Sequence, residues 1–234
     1  MKIDHGRLEE LEGRLGISFK DKTLLNIAIT HSSYANQRKD IKYNERLEFL
    51  GDSVLQLTVT EYLYKNYKDK SEGELTKIRS LIVCENSLFE IAREWSLGQY
   101  IYMSKGEEST GGRERVSIQA DCVEAIIAAI YLDKGFEEVK RYILTIFHDM
   151  IQKAIKNEIV LDYKTKLQEL LQKNGEVCIQ YLLVKHEGPP HRRKFFINVF
   201  VNDEFKGEGS GFSKKEAEQI AAKNALHRME ADIE

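Results

Sequence analysis

The sequence predicts an all-α domain followed by a small α+β domain of the order α-β-β-β-α, and two observations carry the prediction. From Leu8 to about residue 150, apolar residues recur at spacings of three and four, the period of a helix face. Beyond Lys156 the period changes: Phe195, Ile197, Val199 and Val201 share one face at a period of two, which belongs to a strand. Against a prior of roughly 150 residues per domain, a length of 234 allows one large domain or two modest ones.

Taken in order, Leu8, Leu11 and Leu15 open the first helix, and Leu24, Leu25, Ala28 and Ile29 mark a second. A longer helix is expected over about 44–67, with further segments at about 73–95, 118–133 and 136–156. The breaks between them, 36–42, 68–72 and 104–113, are polar or contain glycine. The expected division is a first domain at 1–156, a linker at 157–160 and a second domain at 161–231. In the second domain Asp162 is placed to cap a short helix that carries Leu167, Leu170 and Leu171 and ends at Gly175. Strands at 179–185, 194–201 and 204–209 follow, with Asn202-Asp203 as a turn, and a last helix runs from Ser213 to about 230.

Composition excludes several classes. At 42% hydrophobic and 31% charged, the chain is an ordinary globular one, which removes wholesale disorder and collagen-like repeats. The longest apolar run, 125–132, is far short of the roughly 20 residues a spanning helix needs. The charged N-terminal stretch has no apolar core like that of a secretory signal. The expectation is a cytoplasmic chain with no membrane partner. Cys84, Cys122 and Cys178 lie far apart and the six histidines form no HExxH, so any metal would be a hard cation on carboxylates. Net charge is 35 − 38 = −3, and residues 161–234 carry 12 basic and 12 acidic residues. A nucleic-acid partner would therefore have to meet local basic clusters.

At 100° per residue, Glu45, Glu48 and Asp52 fall within about 60° of one another on the long helix. Leu47, Leu50, Val54 and Leu57 occupy the other side, while Phe49, Leu55 and Val59 flank the acids, so the helix reads as central. Asp121 and Glu124 form a second pair just before the apolar run. Each cluster has an ordinary alternative: a solvated acidic face for the first, a capping box for the second. Together they point to a shared hard-cation site and metal-dependent phosphoester chemistry. Gly51 costs roughly 1 kcal/mol inside a helix, and a close helix–helix approach beside the acids would account for it.

In the second domain Ser213-Lys214-Lys215-Glu216 has the S-x-x-E pattern of a capping box. It sets two lysines against the helix dipole, where an anion would be welcome. The glycine-rich lead-in at 207–211 would strengthen that site. Lys164, Gln168 and Gln172 form a polar stripe on the preceding helix, and the loop 188–194 is stiffened by two prolines and carries consecutive cations. Solvated surface is the alternative for each. Three patches on one face fit a domain that reads duplex RNA by shape over about 16 bp.

Asn44-Glu45-Arg46-Leu47-Glu48-Phe49-Leu50-Gly51-Asp52-Ser53 resembles the signature of the ribonuclease III family. The blocks 28–34, 111–113 and 117–125 resemble its other conserved-looking segments in the same order, all within 7–134. Residues 164–169 and 209–218 resemble a double-stranded RNA-binding domain. The resemblance implies an all-α endonuclease domain that works as a homodimer, followed by an RNA-binding domain. It would cut both strands of double-stranded RNA, leaving 5′-phosphate and 3′-hydroxyl ends, with ribosomal RNA precursors and structured messenger and transfer RNA transcripts as substrates. It further implies Mg²⁺, with Mn²⁺ as a substitute, at a site formed by Glu48, Asp52, Asp121 and Glu124, with Glu48, Asp121 and Glu124 holding the metal, Asp52 and Glu124 most directly tied to catalysis, and no small-molecule cofactor. Glu45 and Glu72 match supporting acids. Thr165, Gln168, Glu169, His191, Ser213, Lys214 and Lys215 match RNA-contacting positions. The alternative, a catalytically silent RNA-binding scaffold, would need a lost carboxylate, and none is lost.

Overall fold

The computed structural model describes residues 3–36, 38, 40–156, 163–172, 177–189 and 193–231. The chain divides into two compact units, Met1–Ile159 and Val160–Glu234. The expected linker at 157–160, the cap Asp162 and the helix end at Gly175 lie outside the described residues.

In the first unit the helices are α1 (His5–Leu15), α2 (Lys22–Ala28), α3 (Ser32–Ala35), α4 (Glu45–Asn66), α5 (Glu72–Ile82), α6 (Glu85–Glu94), α7 (Lys105–Ser109), α8 (Val116–Lys134), α9 (Phe136–Ile146) and α10 (His148–Ile155). The long helix is found almost where the periodicity puts it. Two other expected segments are each a pair of helices. The segment at 73–95 breaks after Ile82, with Cys84 extended just before α6; the segment at 136–156 breaks at Phe147. Neither break carries glycine or proline, and Phe147 is wholly buried, so the apolar pattern runs through it unchanged.

Helix α8 is the axis of this unit. It packs against α2, α4, α6 and α9, and Ala125 through Ile130 are fully buried. Burying each large aliphatic side chain stabilises the fold by roughly 1.5–3 kcal/mol, so this helix has little freedom to shift. Its start differs from expectation. The helix begins at Val116 behind an extended Arg115, five residues before Asp121. Asp121 and Glu124 are therefore interior residues, and the capping-box alternative for them is overturned.

Helix α4 is not buried all round. Leu55 and Val59 are fully buried, but Phe49 is 79% exposed, Leu57 57% and Tyr64 73%. Among the described residues no helix is long and apolar enough to cross a membrane.

The second unit consists of α11 (Tyr163–Gln172), β1 (Ile179–Glu187), β2 (Lys194–Val201), β3 (Glu204–Gly211) and α12 (Lys214–Ala231). The sheet is antiparallel in the order β1-β2-β3, with a bulge between Leu183 and Lys185. Asn202 and Asp203 both have positive φ, 49° and 67°, the conformation a two-residue hairpin turn requires. Ile197 and Val199 point to the helices and bury with Leu167, Ala217, Ala221, Ala222, Ala225 and Leu226; Phe195 is partly buried against them. Gly207 and Gly209 lie flush against the main chain of α12, where a Cβ on either would overlap Ala217, Ala221 or Ala225. Helix packing thus accounts for these glycines, a different role from the phosphate-binding lead-in their pattern suggests.

Candidate active site and nucleic-acid interface

Asn44, 2% exposed, ends the loop before α4, and its N–H donates to the Thr30 carbonyl (2.9 Å). Thr30 bridges to Tyr102, and the next N–H, that of His31, donates to the Tyr102 carbonyl (2.9 Å). This strap fixes the start of α4 beside the end of α2. No side chain caps α4, so Glu45 and Glu48 in its first turn meet the positive end of the helix dipole.

One turn further on, Gly51 lies directly against the main chain of Glu124, and a Cβ there would overlap the carbonyl. The close approach expected beside the acids is present, and it is what sets the two acidic stripes against each other. The charges register it. Burial raises the Glu124 carboxyl, with Asp52, Glu48 and Asp121 adding to the effect, and takes it up to about 8. Glu48 is raised by burial, then by Asp121, Glu45 and Asp52. Asp121 is raised by burial and by Glu85 and Glu45, and His31 offsets part of this. A carboxylate taken out of water costs several kcal/mol unless a positive group meets it. Among the described residues Glu45, Glu48, Asp121 and Glu124 form no ion pair and accept no side-chain hydrogen bond. No three or more of these carboxylates are drawn into a ready-made ligand cage among the described residues. Glu48, Asp121 and Glu124 offer oxygen alone, are half-buried and repel one another, and so they fit a hard divalent cation.

Two neighbours of the acids were not singled out by their sequence pattern. Gln56, one turn beyond Asp52, donates from Nε2 to Oδ1 (2.7 Å) and Oδ2 (2.9 Å) of that carboxylate. His31 caps α3, and its Nδ1 accepts from the Ser33 N–H (3.3 Å) and lies 2.8 Å from the Ser33 Oγ. The Ser104 N–H donates to that same Oγ (3.1 Å), which ties α3 to the residue before α7. The i, i+4 spacing of Asp52 and Gln56 was the available signal for the first. Cys122 sits between the acids but turns inward, its Sγ donating to the Ala28 carbonyl (3.4 Å).

Glu72 is not brought to this cluster. It is the first residue of α5, where its Oε1 accepts from Thr76 (3.0 Å). Arg79 of α5 donates to Thr60 of α4 (3.0 Å), so α5 runs back along α4 and Glu72 lies beyond the far end. From Glu48 to Asn66 alone the axis rises about 27 Å.

In the second unit Thr165, Gln168 and Glu169 are exposed on α11, and Ser213, Lys214 and Lys215 are exposed at the start of α12. The Tyr163 N–H donates to Gln219 (2.7 Å), and Lys164 pairs with Glu218 (2.6 Å), so the first turn of α11 is tied to the second turn of α12. Ser213 caps the Glu216 N–H (3.1 Å), while the Glu216 carboxylate reaches the N–H of Phe212 (2.7 Å), one residue short of the expected capping box. Neither lysine has a carboxylate partner among the described residues. Lys164, Gln168 and Gln172 line a shallow groove with Val177, Ile179 and Tyr181. His191 lies outside the described residues.

Comparison with known proteins follows the same division. A family model described as Ribonuclease-III-like matches residues 21–150, and one described as Double-stranded RNA binding motif matches residues 163–229. A curated protein named Ribonuclease 3 from Clostridium botulinum (strain Eklund 17B / Type B) is 68% identical over 228 residues, 97% of this chain and 98% of that protein. Its namesake from Clostridium beijerinckii is 69% identical over 227 residues, with the same shares covered. Among solved structures, the nuclease domain of ribonuclease III from Campylobacter jejuni is similar at 46% identity and a TM-score of 0.57, over 61% of this chain and 96% of that one. That structure is described in terms of flexibility in the region involved in dimer formation.

Proposed function

The chain belongs to the ribonuclease III family and is a double-stranded RNA endoribonuclease, and from this we propose how its residues divide the work. The reaction is hydrolysis of phosphodiester bonds in both strands, giving 5′-phosphate and 3′-hydroxyl ends. Glu48, Asp121 and Glu124 hold Mg²⁺, or Mn²⁺ in its place, and Glu45 supports them. A cation held there would neutralise the acids and supply positive charge to the phosphate oxygens. Asp52 and Glu124 would take the proton of the water that attacks phosphorus and pass a proton to the 3′ oxygen as its bond to phosphorus breaks. Thr165, Gln168, Glu169, His191, Ser213, Lys214 and Lys215 contact the duplex, and the substrates are ribosomal RNA precursors and structured messenger and transfer RNA transcripts in the cytoplasm. The observation that carries this reading is the contact of Gly51 with the Glu124 main chain, which sets the acidic stripes of α4 and α8 against each other, with no ion-pair partner for Glu48, Asp121 or Glu124 among the described residues.

The enzyme acts as a homodimer through the exposed face of α4. Phe49 and Tyr64 lie on one stripe with Leu57 near their midpoint, and a groove at the far end is lined by Tyr64, Tyr67 and Leu75. Two copies crossing antiparallel at Leu57 would seat the Phe49 of each in the groove of the other. The same pairing carries Glu72 toward the acidic end of the second copy, where a supporting acid has a use.

The test is a long perfect RNA duplex incubated with the purified full chain in Mg²⁺, Ca²⁺ or EDTA, with single-stranded RNA and DNA duplex as controls. Cutting of the RNA duplex alone, in Mg²⁺ alone, is expected. A duplex that shifts on a gel yet is never cut would favour the silent scaffold.

A further inference from the structure

Of the four acids set between α4 and α8, one differs from the rest in its neighbours. Glu48, Asp121 and Glu124 accept no side-chain hydrogen bond among the described residues, whereas Asp52 accepts two from a single group, the Gln56 amide, at 2.7 and 2.9 Å. The carboxylate torsion of aspartate is broad and two-fold, so an unheld Asp52 would sample many orientations about its Cβ–Cγ bond. One amide nitrogen shared between the two oxygens, a three-centre contact, favours one orientation of the carboxylate. Residues four apart stand one above the other on a helix, so the contact is built into α4 and needs no other element.

The donor's chemistry is also informative. Lysine or arginine at this position would hold Asp52 equally well but would cancel charge that a cation needs. Glutamate would add a fifth acid and donate nothing when ionised. An amide supplies N–H groups with no net charge, and each Asp52 oxygen keeps a lone pair for another partner. We infer that Gln56 is a positioning residue for the cleavage reaction, fixing the Asp52 carboxylate in its working orientation while leaving the negative charge of the site intact. This rests on the assignment of Asp52 to the reaction proposed above.

The test uses the full chain with Gln56→Leu, which keeps length and helix propensity but removes the donor, and Gln56→Glu, which turns donor into acceptor. Single-turnover and steady-state cleavage of duplex RNA give kcat and KM, and calorimetric titration of Mg²⁺ into the RNA-free protein gives a readout independent of turnover. Outer-sphere partners of metal-site carboxylates typically contribute about 10–100-fold in activity or metal affinity. Gln56→Leu is therefore expected to lower kcat about ten-fold or more with KM for RNA unchanged, and Gln56→Glu to lower it further. A Mg²⁺ affinity altered in both variants, with melting temperatures at the wild-type value, would match a role in orientation. Wild-type kcat and Mg²⁺ affinity in both folded variants would overturn the inference, as would a loss confined to KM. Failure of the wild-type protein itself to bind Mg²⁺ or cut would instead overturn the assignment on which the inference rests.

Discussion

Glu124 shows how one residue ties pH, stability and cation together. Its carboxyl is raised from 4.5 to about 8 by burial and by three neighbouring acids. Between those values the folded chain binds a proton that the unfolded chain has released, so stability falls as pH rises across the interval. The contribution is complete below the unfolded value and lost above the folded one. In EDTA, the melting temperature should therefore drop between pH 5 and pH 8.5, and Glu124→Gln should flatten the drop. At this chain length about 1 kcal/mol moves the midpoint by roughly 2–4 °C. Adding Mg²⁺ at pH 8 should restore the wild-type midpoint more than that of the variant, because a ligand of the folded state stabilises it by mass action. Midpoints that fall equally in both proteins would remove Glu124 from this role. The acids themselves were legible from spacing, because a helix of fixed pitch puts i, i+3, i+4 and i+7 on one side. His31 was not legible as a neighbour of the acids, and Gln56 offered only its i, i+4 spacing from Asp52, since each matters through the orientation of another side chain.

At the scale of elements, the crossing of α4 over α8 depends on the absence of one methyl group. Alanine has an intrinsic advantage of about 1 kcal/mol over glycine within a helix. At Gly51 that advantage is outweighed, because the added Cβ would overlap the main chain of Glu124 and the helices would have to part. Gly51→Ala should cost about 3 kcal/mol in a urea titration and abolish cleavage, since the acids on the two helices separate. A variant as stable as the wild type would show that the crossing can relax. Periodicity revealed the long helix and the switch to strands, because both depend on local pattern. It failed at Phe147, where the chain turns without leaving the core, and at Val116, where α8 starts with no side-chain cap to announce it.

For the whole molecule, the order of the two units was readable because the change of period is abrupt, but the exposed apolar face of α4 was not. Phe49 and Leu57 look like core residues in the sequence, and only the position of α8 shows that they face outward. Phe49→Asp should convert the dimer to a monomer in sedimentation and lower duplex cleavage at least 100-fold, while duplex binding through residues 163–229 persists. A dimeric variant would move the interface elsewhere. The second unit has a mechanical property of its own. Most helix–sheet joints are cushioned by side chains that can change rotamer, but α12 meets β3 across Gly207 and Gly209 with its alanines almost touching main chain. Such a joint has no layer of side chains to take up a displacement. Lys214 and Lys215 are thus held at a distance from the sheet that the backbone alone determines, and α11, bound to α12 through Gln219 and Glu218, inherits the same datum. For a surface that must match the repeat of a helical polymer, this is the behaviour of a ruler: its graduations do not stretch when it is pressed against the object being measured.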